Sequence, residues 1–136
     1  MDPLRRTVTN PQMVKVQQMM NLLRLLDREV PAQVLATFFY VAAHDNCHKQ
    51  AVEEELNLST AAGSRCTDKL TDQSWVNKPG LDLIIKETDP SNKRRQQLRL
   101  TPKGKALIQQ IEEILYGDQA PELSGQETSQ GNDQEL

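Results

Sequence analysis

The tetrapeptide Leu56-Asn57-Leu58-Ser59 constrains this chain more than any other stretch. It joins two helical patterns through a turn as short as that of a helix-turn-helix, in which the second helix leaves the first at a steep angle. Ser59 is placed to cap the second helix, its hydroxyl accepting from the free backbone N–H groups of the first turn. Gly63, Cys66 and Leu70 then recur at i, i+3 and i+7, a narrow apolar stripe that faces a core. The other side carries Thr60, Ala61, Ser64, Arg65 and Lys69, all small, hydroxylated or basic. So slim and mildly basic a face fits a DNA major groove, where hydroxyls, methyls and guanidinium groups read base edges. It also suits plain solvent. The flanking segments decide between these readings.

Residues 1–11 are polar, include Arg5 and Arg6, and predict a flexible arm. From Gln12 to about Glu29, Met13, Val16, Met20 and Leu23 recur at helical spacing, and Met19 and Leu22 widen the apolar stripe beyond what one partner helix needs. That surplus points to a dimer contact or to packing on the chain's own last helix. Pro31 suits a first helical turn. Behind it, Val34, Leu35, Phe38, Phe39, Val41 and Ala42 predict the central core helix, running to about His44. Asp45-Asn46-Cys47 reads as a turn. His48 to Leu56 reads as a short helix with Ala51, Val52 and Leu56 inward and Glu53, Glu54 and Glu55 outward, a solvated face.

Beyond the second helix of the motif, Trp75-Val76 reads as a hydrophobic plug and Lys78-Pro79-Gly80-Leu81 as a type II turn. Leu81 to Thr88 predicts a strand, Asp89 to Asn92 a turn, and Gln96 to Leu100 the returning strand. The hairpin's tip therefore carries Lys93, Arg94 and Arg95. Thr101 caps the next helix with Pro102 at its first position, and Ala106, Leu107, Ile108, Ile111, Ile114 and Leu115 form its apolar side, to Gly117. The remainder, 118–136, has almost nothing to bury and predicts a disordered acidic tail. The expectation is a mainly α winged helix-turn-helix over 12–117, with a small β-hairpin wing and flanking dimerisation helices.

Charge is polarised along this frame. The net charge of −3 arises because the tail holds five acids and no base; without it, 16 basic residues face 14 acidic ones. Segment 78–105 alone holds eight bases against three acids. That asymmetry speaks about partners rather than fold. An aromatic content of 4% requires an aliphatic core. No apolar run approaches a membrane span, and no apolar stretch after the early arginines suggests a signal peptide. Cys47 and Cys66 build no disulfide framework, which favours a reducing, cytoplasmic setting.

Three stretches resemble the MarR-type transcriptional regulators. Leu58 to Leu70 is similar to that family's recognition helix, with Ser64-Arg65, Asp68 and Leu70 in register. Asp89-Pro-Ser-Asn-Lys-Arg94 is similar to its wing tip, and Leu100-Thr-Pro-Lys-Gly104 to the start of its last long helix. Together they cover roughly residues 30–116. The chain differs in having Asn92 where the family has an aspartate facing the wing arginine, and Gly63 where an aliphatic residue is usual. It also has a longer stretch from Asn77 to Leu83, and its C-terminal dimerisation segment ends early.

The resemblance implies a cytoplasmic homodimer that binds double-stranded DNA and represses transcription. Recognition helix 59–73 would enter the major groove and wing 86–99 would lie on the backbone or minor groove. Thr60, Ala61, Ser64 and Arg65 would reach base edges; Ser59, Lys69, Lys93, Arg94 and Arg95 would meet phosphates or the minor groove. Val16, Met19, Met20, Leu23, Ile108, Ile111 and Leu115 would carry the dimer. The alternative is a winged-helix protein-interaction module docking on RNA polymerase or another transcription or replication factor, a reading that the nearly balanced core and acidic tail favour. No nucleophile–base pair, phosphate-cradling glycine loop or carboxylate dyad points to an enzyme or to a cofactor. His44, Cys47 and His48 could place two or three ligands at a helix end, but without a Cys-x-x-Cys pair they fall short of the four ligands of structural zinc, so no metal is expected.

Overall fold

The computed structural model describes residues 6–75 and 78–117. In chain order the elements are α1 (Pro11–Arg24), α2 (Ala32–Ala43), β1 (Cys47–His48), α3 (Lys49–Leu56), α4 (Thr60–Leu70), β2 (Gln73–Trp75), β3 (Lys78–Pro79), β4 (Ile84–Asp89), β5 (Asn92–Leu100) and α5 (Pro102–Tyr116). They divide into two compact units. Residues 23–108 hold the helix-turn-helix and wing, and a terminal unit combines the stretch up to Leu22 with that from Gln109 on. The expected disordered tail, the first five residues of the arm and Val76 of the plug lie outside the described residues.

In the 23–108 unit the core is aliphatic and packs around the buried ring of Phe38, with Val34, Val41, Val52, Leu70, Leu83, Ile84 and Leu98 also buried. Polar residues reach this interior only with their bonds made. Thr37 donates to the Gln33 carbonyl at 2.8 Å and Thr67 to the Gly63 carbonyl at 2.8 Å, each one helical turn back. The tight turn between α3 and α4 works because Asn57 takes a left-handed conformation (φ 55°), tolerable for asparagine, so that Leu58 N–H reaches back to the Glu53 carbonyl.

The structure departs from the sequence reading at several points. Helix α1 stops at Arg24 rather than near Glu29 because the Asp27 carboxylate accepts from Glu29 N–H at 2.9 Å, a local turn that competes with helix. Leu23, expected at a dimer contact, is instead 1% exposed in the core of the 23–108 unit. Cys47 and His48, expected in a turn and a helix, form β1, which pairs antiparallel with β5 and completes a sheet of order β1-β5-β4. The expected type II turn at Lys78–Leu81 is absent, since Gly80 lacks the positive φ such a turn demands.

That last segment folds back on the end of α4. Leu81 N–H donates to the Lys69 carbonyl and Leu83 N–H to the Leu70 carbonyl, satisfying helix-end acceptors that have no partner within the helix. Gly80 is needed for the approach, because a Cβ there would run into the Thr71 carbonyl. Asp82 takes φ 57° and the regular strand begins only at Ile84, three residues later than expected. Thr101 fastens this corner. Its oxygen accepts from Gly104 N–H at 2.9 Å, capping α5, while its hydroxyl donates to the Asp82 carbonyl at 2.7 Å.

The wing is an uneven hairpin. Its ladder runs regularly from Ile84↔Leu100 to Thr88↔Gln96 and then jumps to Asp89↔Asn92, leaving Lys93, Arg94 and Arg95 as surplus residues of β5 beside the Pro90-Ser91 turn. Side chains replace the missing ladder bonds. Asn92 Oδ1 accepts from Arg94 N–H at 3.1 Å, and Asp89 Oδ1 accepts from Ser91 N–H at 2.9 Å and Ser91 Oγ–H at 2.8 Å. The other Asp89 oxygen accepts from His48 Nε2–H at 2.8 Å. That bond first, and then the two from Ser91, hold the Asp89 carboxyl at about 2, below its usual 3.8.

Two stability predictions follow from these contacts. Thr101→Ala removes a cap and strands the Asp82 carbonyl, so urea unfolding should show a loss of about 1–2 kcal/mol, most of it recovered in Thr101→Ser. Because the folded value of Asp89 lies below the unfolded one, its stabilisation is complete above about pH 4 and disappears as pH falls toward about 2. Unfolding titrations should therefore show the wild-type advantage over Asp89→Asn present at about pH 5 and closing as pH falls through about 4 toward about 2.

Candidate nucleic-acid interface

Helix α4 turns its buried and exposed residues to opposite sides. Ser59 caps it as expected, its Oγ accepting from Ala62 N–H at 3.0 Å. Gly63, Cys66, Thr67 and Leu70 are buried, while Thr60, Ala61 and Arg65 are exposed and Ser64 and Asp68 half-exposed. At roughly 100° per residue, Thr60, Ser64, Ala61 and Arg65 occupy in that order an arc of about 140°. The helix ends at Leu70 with Thr71 as its C-cap, three residues short of the expected limit.

The wing meets one edge of that arc. Thr60 of α4, Arg94, Arg95 and Gln96 of β5, and Lys49 and Glu53 of α3 line a polar cleft of about 350 Å³. Two of the three tip bases thus share a cleft with the N-terminus of the helix expected to read bases. Arg65 sits at the opposite edge, on the rim of a cavity of about 400 Å³ lined also by Gln33, Val34 and Cys66. Ala61 and Ser64 lie between. Lys93, Arg94, Arg95 and Arg65 are exposed, and none of the four forms an ion pair with a described residue.

Other cations near the helix are neutralised from within. Lys69, expected to meet phosphate, is half-buried and paired with Asp27 at 3.0 Å. The Asp27 carboxyl is held below its usual value first by the Glu29 N–H and then by this ammonium. Lys86 of β4 pairs with Asp68 at 2.5 Å, taking up the one carboxylate on the exposed arc of α4. Lys49 is buried and ion-paired with Glu53 one turn on, and its ammonium also donates to the Thr60 carbonyl at 3.4 Å. Glu53 is thus no part of a solvated face. It lies over Gly63, where a Cβ would stand 2.5 Å from its carboxylate oxygen, so the glycine lets α3 and α4 close together.

Sequence reasoning missed His48, Lys49 and Glu53 as neighbours of this surface, and with them the bond of His48 to Asp89. The i,i+4 spacing of Lys49 and Glu53 was a usable signal. The 41-residue separation of His48 and Asp89 gave none. Of the trio considered for metal, His44 stacks on Tyr40 (ring centroids 4.0 Å apart) and donates to its carbonyl at 2.9 Å, and His48 is taken by Asp89. Among the described residues no cluster of His, Cys, Asp and Glu side chains could hold a metal ion. Burial pushes the thiols of Cys47 and Cys66 above their usual pKa, away from the reactive thiolate.

The residues expected at a dimer contact divide between the units. In the terminal unit Val16 and Met20 are exposed in line with Met13, Met19 and Leu115 are half-buried, and Ile111 is 4% exposed. There Lys15 Nζ donates to the Leu115 carbonyl at 3.2 Å. Ile108 and Leu23 belong to the 23–108 unit. No helix among the described residues is long and apolar enough to cross a membrane.

No protein-family model and no curated protein sequence matches this chain. Solved structures do. The MepR–DNA complex of S. aureus is 20% identical over 90% of each chain, with a TM-score of 0.62. YusO of Bacillus subtilis is 16% identical over 79% of this chain and 70% of its own, with a TM-score of 0.55. The PcaV transcriptional regulator of Streptomyces coelicolor is 19% identical over 81% of this chain and 83% of its own, with a TM-score of 0.51. At these identities the likeness is one of fold, and the fold is the winged helix-turn-helix of the MarR-type regulators.

Proposed function

We propose that this protein is a sequence-specific, double-stranded DNA-binding transcriptional repressor that acts as a homodimer. One arrangement carries the reading: the N-terminal turn of α4 and the wing's Arg94 and Arg95 line the same cleft. With α4 in a major groove, Thr60, Ala61, Ser64 and Arg65 face base edges, and the adjacent wing follows the phosphates or the minor groove. Arg65 offers the bidentate guanidinium suited to a guanine edge. The bound DNA of MepR, on the same fold, supports the assignment.

One such module makes few phosphate contacts, so a two-fold pair on a palindrome, with half-sites about one helical turn apart, is the assembly that gives tight binding. The apolar stripe of Met13, Val16 and Met20 on α1, each more than a third exposed, is the surface we assign to it.

Selection from a random duplex pool, followed by anisotropy titrations at several salt concentrations, tests the reading. A palindromic site and a steep loss of affinity with salt are expected. Arg94→Ala should weaken all sequences alike and lower the salt slope by about 1, whereas Arg65→Ala should cost about 1–3 kcal/mol on the selected site and relax its specificity. Met20→Glu should sediment as a monomer. Failure to bind duplex at low salt would leave the protein-docking module as the better account.

A further inference from the structure

We infer that His48 is a positioning residue that holds the basic wing in place relative to the helix-turn-helix, an assignment that rests on the DNA-binding reading for its purpose but not for its geometry. The wing is long for its backbone support. Strand β1 touches β5 only at Cys47↔Leu98 and His48↔Gln97, and the β4–β5 ladder loses its register immediately beyond Thr88↔Gln96. Beyond that point Asp89↔Asn92 is the one remaining pairing of the two strands, and Lys93, Arg94 and Arg95 lie outside the ladder.

Among the described residues, one side-chain bond reaches across that gap. His48 Nε2–H donates to Asp89 Oδ2 at 2.8 Å, from an imidazole 33% exposed to a carboxylate 6% exposed. Its two ends are anchored differently. His48 is the residue immediately before α3 and its N-cap, so it is fixed to the first helix of the motif. Asp89 holds the turn, through Ser91, and faces Asn92, whose side chain in turn binds Arg94 N–H. His48 thus ties the start of α3 to the Asp89–Ser91 turn, and Asn92, the strand partner of Asp89 across the hairpin, holds the backbone of Arg94. Without the His48 donor, one oxygen of a buried carboxylate loses its partner, and the tip is referred to α3 only through two residues of edge strand.

The test uses the full chain with His48→Phe, which keeps a ring but no donor, and His48→Gln, which keeps a donor; His48→Ala takes the place of the phenylalanine variant if that does not fold. Native-state trypsin cleavage after Lys93, Arg94 or Arg95 reads the order of the tip, with cleavage after Lys103 and Lys105 in α5 as the internal standard. Cleavage at the tip should rise roughly tenfold in His48→Phe relative to that standard and return toward wild type in His48→Gln. In anisotropy titrations on random duplex, the salt slope should drop by about 1 in His48→Phe and recover in His48→Gln. Equal tip cleavage in all three proteins, or a rise in both variants alike, would overturn the inference. The proteolysis needs no DNA, so a wild-type protein that fails to bind duplex would remove the proposed function while the cleavage pattern still decides the role of His48.

Discussion

The outer face of α4 has a fixed direction because its inner face is committed. Cys66 and Leu70 are buried in a core shared with Phe38 and Val41 of α2 and Val52 of α3. Burying a leucine or phenylalanine contributes on the order of 1.5–3 kcal/mol, so rolling the helix by one position would forfeit several such contributions at once. Thr67 can join that interior because its hydroxyl returns to the Gly63 carbonyl. Gly63 completes the constraint from the other side, since the absence of a side chain lets Glu53 of α3 lie directly over α4. Thr60, Ala61, Ser64 and Arg65 point outward as a consequence of that packing.

Electrostatics then selects which cations meet a partner. Lys49, Lys69 and Lys86 all lie against α4 or its N-terminal turn, and each is bound to a carboxylate: Glu53, Asp27 and Asp68. The half-exposed pairs at Lys69 and Lys86 add little stability, of order 1 kcal/mol or less. The buried Lys49–Glu53 pair is justified less by net energy than by the cost of leaving either charge alone. The effect on the surface is larger than the effect on stability. With these lysines cancelled, the cations left unpaired along the outer arc of α4 and at the wing tip are Arg65 and the Lys93–Arg95 triplet.

Features governed by short-range rules were legible in the sequence. Ser59 and Thr101 cap the helices they were expected to cap, and the basic triplet sits at the tip of a hairpin with Asp89 and Asn92 at its base. Their signals lie within three or four residues, where capping and turn chemistry act. What escaped was set by long-range geometry. Cys47 and His48 became a strand because β5 offered a free edge, and Gly80 serves a close approach to Thr71 rather than a turn. Leu23 matched a helical stripe yet belongs to a different unit from Val16 and Met20, because α1 crosses the boundary between the two units. Periodicity says that a face is apolar; it does not say which neighbour covers it. The pairing of Lys69 with Asp27 and the place of Glu53 over Gly63 were hidden for the corresponding reason, since both come into view only once the helices are packed.

The register jump in the wing gives the triplet a character that a longer, regular loop would lack. A regular ladder would alternate Lys93, Arg94 and Arg95 across the two faces of the sheet. Removing them from the ladder frees their side chains from that alternation and places all three in solvent. Such a bulge forfeits backbone hydrogen bonds, and the acceptors on Asp89 and Asn92 restore some of them. A tip ordered in this way before it meets a partner has less conformational freedom to lose on association, where each immobilised long side chain or loop costs roughly 0.5–1.5 kcal/mol. Asn92 is suited to the task as a neutral amide: it accepts from the Arg94 backbone without drawing a salt bridge from the guanidinium, which stays available at the cleft it shares with Thr60.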